Sequence, residues 1–172
     1  DKGREIFYQL VERSDVVLDN LRAGVAEKLQ IDYSILKKVN PRIISCSITG
    51  YGSESPFRYR PAFDLMIQAR GGGMSLTGVP GGPPLRMGVS ICDHAAGIFA
   101  VVGILAALWE RERTGEGQKV DVPLMNTMIS LLTYQAAYYL FSGEIPEPVG
   151  TGHASLVPYN AFRTKDGYIV VD

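Results

Sequence analysis

Three short apolar runs separated by segments of helical periodicity constrain this chain more than any other feature. Asp15–Asn20 (DVVLDN) and Arg42–Thr49 (RIISCSIT) read as buried strands, and Gly117–Leu124 as a third. Arg4–Arg13 places Ile6, Phe7, Leu10 and Val11 on one helical face. Val25–Leu29 and Tyr33–Val39 are further helices, the second capped by Asp32 and stopped at Asn40-Pro41. Strand and helix alternating through mostly short links predict an α/β fold: a Rossmann-like open, mostly parallel sheet with flanking helices.

The rest of the chain is less regular. Gly50–Arg60 is a long connection rich in Gly, Ser and aromatic residues, followed by a helical pattern at Ala62–Arg70. Gly71-Gly72-Gly73 is expected to be a flexible turn, leading to a Pro/Gly loop, TGVPGGPPLR. Val89-Ser90-Ile91-Cys92 is strand-like, and Asp93 then begins the most strongly helical segment, with its C-cap at Gly115. Asn126–Phe141 reads as one apolar helix, Glu144–Thr151 as a hinge, and Ala161–Val171 as a hairpin turning at Lys165-Asp166-Gly167. Asp1 enters a helix at once without an initiator Met, and Tyr168–Asp172 stops inside a strand pattern. Both ends are expected to be cuts in a longer chain.

Composition narrows the function. With 46% apolar and 20% charged residues the chain folds, and a net charge of −1 gives no basic field for nucleic acid. Cys46 and Cys92, both in strand-like runs, are expected to be free thiols in a reducing cytoplasm. His94 and His153 have no metal-ligand spacing, so no metal is expected. The longest apolar run, Ala95–Trp109, has 15 residues, too few to span a bilayer, so a cytoplasmic protein without a membrane partner is expected. GxGxxG, GxxxxGK[ST] and GxSxG are all missing.

Asp93 is the ionisable residue that draws attention, in GVSICDHAAG, with apolar sequence on both sides. As a helix N-cap its carboxylate accepts otherwise unpaired N–H bonds. The same placement puts it in positive potential, where a carboxylate stays ionised although partly desolvated, and such a group attacks an activated acyl carbon. Ala95, Ala96 and Gly97 leave room for a ligand to approach. Arg22, Lys28, Arg58 and Arg60 follow strands, where ligands of open α/β sheets collect. Singly each is a surface charge; together they suit a nucleotide's phosphates.

DVVLDNLRAGVAEKL, NPRIISCSITGYG, RPAFDLMIQARGG, GVSICDHAAG, GILAALWERERTGEGQKVDVPL and GHASLVPYNAFRTKDGYIVV occur in the order seen in family III CoA-transferases, which the whole chain resembles. That family includes formyl-CoA and carnitine CoA-transferases, dicarboxylate enzymes using succinyl-CoA, and the related α-methylacyl-CoA racemases. The resemblance implies that residues 1–124 are part of a large CoA-binding domain, 125–150 a linker helix and hinge, and 151–172 the start of a small domain. It implies that Asp93 is the nucleophile, carrying the acyl group as an aspartyl anhydride and then CoA as an aspartyl thioester. A dry pocket at a helix end suits that exchange.

It further implies that Asn20 and Leu21, the latter in place of an aromatic residue, contact the CoA nucleotide. Lys28 stands where an Arg often meets a CoA phosphate, and Asp64 matches an acid near the catalytic centre. Asn20, Leu21 and Lys28, together with Arg22 and Arg60 read from their place after strands, make up the expected coenzyme A site, with Asp64 as catalytic support. The partners implied are an acyl-CoA and a small carboxylic acid, in an intertwined homodimer. The racemases carry a His where Phe63 stands, and Phe transfers no proton, which favours transfer over isomerisation. A racemase-like isomerase and a non-catalytic acyl-CoA-binding fragment are the alternatives.

Overall fold

The computed structural model describes residues 2–172. Its elements are α1 (Lys2–Val11), β1 (Val16–Asp19), α2 (Val25–Leu29), α3 (Tyr33–Val39), β2 (Ile44–Thr49), α4 (Asp64–Arg70), α5 (Gly73–Leu76), α6 (Ile91–Thr114), β3 (Lys119–Pro123), α7 (Leu124–Leu131), α8 (Tyr134–Ser142), β4 (Asn160–Arg163) and β5 (Tyr168–Val171). β1, β2 and β3 form a parallel sheet with β2 in the middle. The expected α/β architecture is therefore present. β4 and β5 form a separate antiparallel hairpin, whose turn closes through Thr164 N–H donating to Gly167 O. The Asp32 cap is present too: its carboxylate accepts from the Ser34 N–H.

Because side chains alternate across β2, Cys46 and Ile48 enter one core, which gathers Tyr51, Ile67, Cys92, Ala96, Ala100, Val122, Leu124 and Met128. A second cluster joins Val11, Leu36 and Ile43 beneath α1 and α3. α6 approaches the sheet through Ala96, Ala100, Gly103 and Ala107, spaced to fall on one helical face. A Cβ on Gly103 would stand 2.7 Å from Val120 Cγ1, so only glycine fits there. The opposite face carries Ile98, Val101, Val102, Leu105 and Trp109, all exposed. The far end is pinned by Arg111, which is buried and donates to Asp15 Oδ1 at 2.8 Å and to the Arg42 carbonyl at 3.1 Å.

Four expectations change. Cys92 is not on a strand: α6 begins at Ile91, because the Cys92 N–H is taken by the Asp64 carboxylate at 2.9 Å instead of a neighbouring strand. Asp93 is consequently not the N-cap but the third residue of the helix, with Ser90 at the cap position. The single helix over Asn126–Phe141 is two, α7 and α8, broken where Thr133 adopts φ 47°. Apolar residues run through both, so periodicity does not register the one reversed residue. Gly71-Gly72-Gly73 is packed rather than loose: a Cβ on Gly71 would stand 2.5 Å from Met128 Cγ.

The apolar run ending at Trp109 also underestimates α6. Its 24 residues extend about 36 Å, and by length and composition it is long and apolar enough to cross a membrane. Here its small-residue face lies on the sheet.

Two glycine-to-alanine changes test the packing with opposite signs. A Cβ on Gly117 would sit 1.9 Å from the Ile43 carbonyl oxygen, whereas one on Gly97, inside α6, meets nothing within 4 Å. Gly117→Ala is expected to destabilise by about 1–3 kcal/mol, and Gly97→Ala to stabilise by about 0.5–1 kcal/mol, both read by denaturant titration.

Candidate active site

The carboxyl ends of β1 and β2 and the residue after β3 open onto a cavity of about 470 Å³. The turn after β1 brings Asn20, Leu21 and Arg22 to its wall. Asp19 shapes that turn: one carboxylate oxygen accepts from the Leu21 N–H at 3.0 Å and the other from Ser47 Oγ at 2.7 Å. Asn20 Nδ2 donates to the Ile48 carbonyl at 2.6 Å, tying the turn to β2. The connection after β2 supplies Arg58, Tyr59, Arg60 and Phe63.

Arg58 lies over the Tyr59 ring at 4.7 Å and Arg60 over the Phe57 ring at 4.5 Å. Each guanidinium is thereby oriented without losing its charge. Among the described residues, none of Arg22, Arg58 and Arg60 has a carboxylate within ion-pair distance. Three uncompensated guanidiniums around one cavity give it a positive lining suited to anions.

Asp93 reaches the same cavity from the first turn of α6. Its side chain is exposed to that space, so the dry pocket expected around it is not enclosed by these residues. Burial raises its pKa, the nearby Asp64 carboxylate raises it further, and His94 opposes both. Desolvation and a like charge thus act against the ionised form that the helix end favours. Cys92, beside it, is pushed up to about 12, chiefly by burial and then by Asp64, and stays a neutral thiol.

Asp64 does not line the cavity. It is 6% exposed, and its oxygens accept from Cys92 N–H at 2.9 Å and Gln68 Nε2 at 2.7 Å, with Arg86 Nε at 3.9 Å. Every near partner is a donor, as a carboxylate requires. Lys28 is exposed in the last turn of α2, away from the cavity wall. His94 is exposed with Nδ1 2.7 Å from the Ser90 carbonyl, and His153 sits between the Tyr134 and Tyr159 rings. No three His, Cys, Asp or Glu side chains gather as metal ligands would among the described residues.

The structure thus brings together Asn20, Leu21, Arg22, Arg58, Arg60 and Asp93, and leaves out Lys28 and Asp64. Gln68, Phe57 and Tyr59 join the site's surroundings without a motif that singles them out. Gln68 follows Asp64 by four residues in a helical pattern, so a shared face was visible there. Aromatic and basic residues alternate in FRYR, the pattern of the stacked pairs.

Comparison with known proteins adds an independent line. The sequence model of CoA-transferase family III matches residues 1–172. A succinyl-CoA:mesaconate CoA-transferase of Haloarcula hispanica is 42% identical over 99% of this chain and 44% of its own length. A succinyl-CoA:glutarate CoA-transferase of Mus musculus is 40% identical over 99% of this chain and 39% of its own. A crystal structure of a CAIB/BAIF family protein from Brucella suis superposes with a TM-score of 0.92 and 41% identity, over 99% of this chain and 45% of that one. The chain spans less than half the length of these relatives.

The raised pKa of Asp93 has a consequence for stability. Folding favours its protonated form, so the ionised form costs stability. That cost is absent below the ordinary aspartate value of 3.8, grows as pH rises through it, and levels off above the raised folded value. Asp93→Asn is therefore expected to melt above the unaltered protein at pH 7, with the difference closing as pH falls towards 4. A difference independent of pH in thermal melts would contradict this.

Proposed function

The chain belongs to CoA-transferase family III, and from that membership we propose that it carries the nucleophilic half of an enzyme that moves CoA between an acyl-CoA and a free carboxylic acid. The observation that carries the proposal is the sharing of one cavity by Asp93 and the three unpaired arginines. Coenzyme A combines phosphates with a thioester at the end of a long arm. The arginines suit the phosphates, and Asp93 suits the reacting carbon.

In the proposed cycle an Asp93 carboxylate oxygen attacks the thioester carbonyl. The C–S bond breaks, and CoA thiolate leaves behind a mixed aspartyl anhydride. The thiolate attacks the aspartyl carbonyl of that anhydride, releasing the first acid as its carboxylate and leaving an aspartyl-CoA thioester. The acceptor carboxylate attacks this thioester, again expelling thiolate. The thiolate then attacks the acceptor's acyl carbon and regenerates the Asp93 carboxylate. No net proton is consumed. Asn20 and Leu21 shape the nucleotide end of the cavity, while Arg22, Arg58 and Arg60 neutralise phosphate. Asp64 supports the centre from behind by holding the start of α6.

Relatives named for succinyl-CoA, glutarate and mesaconate support a dicarboxylic acyl group. Residues 1–124 are proposed as part of the large CoA-binding domain, 125–150 as the linker, and 151–172 as the start of the small domain. The working form is proposed to be an intertwined homodimer in the cytoplasm, where the free buried thiols of Cys46 and Cys92 persist.

Trapping tests the chemistry. The whole protein incubated with succinyl-CoA and then hydroxylamine is expected to carry a hydroxamate on the peptide containing Asp93, seen by mass spectrometry. Asp93→Ala is expected to lose at least about a thousandfold in kcat and to show no adduct. An adduct on another peptide would overturn the assignment.

A further inference from the structure

Behind the first turn of α6 lies a polar side chain with no contact to solvent. Gln68 on α4 is 0% exposed, and all its polar groups are engaged. Its Nε2 donates to Asp64 Oδ2 at 2.7 Å and, more weakly, to the Val89 carbonyl at 3.4 Å. Its Oε1 accepts from the Met87 N–H at 2.9 Å. Asp64 in turn holds the Cys92 N–H, one residue before Asp93.

We propose that Gln68 is a positioning residue for acyl transfer. Its amide locks Asp64 and the Met87–Val89 segment together, so that the start of α6 presents Asp93 to the cavity. The inference rests on Asp93 as the nucleophile.

The geometry demands an amide. The Asp64 oxygen needs a donor and the Met87 N–H needs an acceptor, only about one side chain apart. An apolar residue leaves both unsatisfied in the interior, and the segment between them shifts to find water. A displacement of about 1 Å at a nucleophile costs about a hundredfold in rate. A glutamate in its place accepts from Met87 but donates to Asp64 only while protonated. Above the pKa of that acid pair two buried carboxylates face each other and separate. The charged and titratable groups around Gln68 are Asp64 on its own helix, Arg86 from the preceding loop, and Cys92 and Asp93 on α6. From α7, Met128 packs against Cys92.

The test measures kcat and KM for succinyl-CoA in the whole protein from about pH 5.5 to about pH 9, in Gln68→Met, Gln68→Glu and the Asp93→Ala control. Gln68→Met is expected to lower kcat about a hundredfold while KM stays within about threefold. Gln68→Glu is expected to work nearly normally at the acidic end and to lose kcat as pH rises, adding an alkaline limb that the unaltered protein lacks. Unchanged kcat in Gln68→Met, or an unchanged pH profile in Gln68→Glu, overturns the proposal. If Gln68→Met does not fold, the isosteric Gln68→Glu decides by its profile. Transfer surviving Asp93→Ala would instead bring down the nucleophile assignment itself, so the two failures are told apart.

Discussion

A helix that starts inside a protein exposes backbone N–H groups that must find acceptors, and in α6 a carboxylate from another helix supplies one. The bond from Cys92 N–H to Asp64 fixes the origin of a 24-residue helix against α4. From that origin follow the third-position placement of Asp93, the register of the small-residue face on the sheet, and the arrival of Arg111 beside Asp15. A side chain at the helix's own cap position would have secured the N–H without tying α6 to a neighbour. Borrowing the acceptor from α4 couples the helix start to the cavity-forming connection after β2.

The same arrangement sets a conflict at the site. Asp64 accepts from the donors that hold the start of α6, and its charge penalises ionisation of Asp93 nearby. A carboxylate that is harder to ionise is a more basic nucleophile once it has done so. On the proposed role of Asp93, stability and reactivity are therefore opposed at one pair of residues.

The sheet was legible because its strands are short buried runs set between amphipathic helices, a pattern local in sequence. The hairpin was legible from Lys165-Asp166-Gly167, and the end of α6 from Gly115, which adopts φ 79°. The start of α6 was not, because its acceptor lies 28 residues away on another helix. The break at Thr133 was hidden because a hydrophobic pattern records which residues are apolar and not the backbone angle between them. At the site, residues grouped by a strand end were visible as a set. Lys28, one helix turn further on, shows how quickly that inference decays with distance along the chain.

The small-residue stripe that lets α6 lie close to the sheet also makes the helix a lever. Arg111, anchored at one end, and Asp93 at the other are 18 residues apart, about 27 Å of rigid rod. An added methyl group near the middle of the stripe lifts the rod against both anchors, and the strain reaches the Asp64 contact that holds the Asp93 end. Asp93 is thus mechanically coupled to alanines that touch neither the cavity nor any ligand.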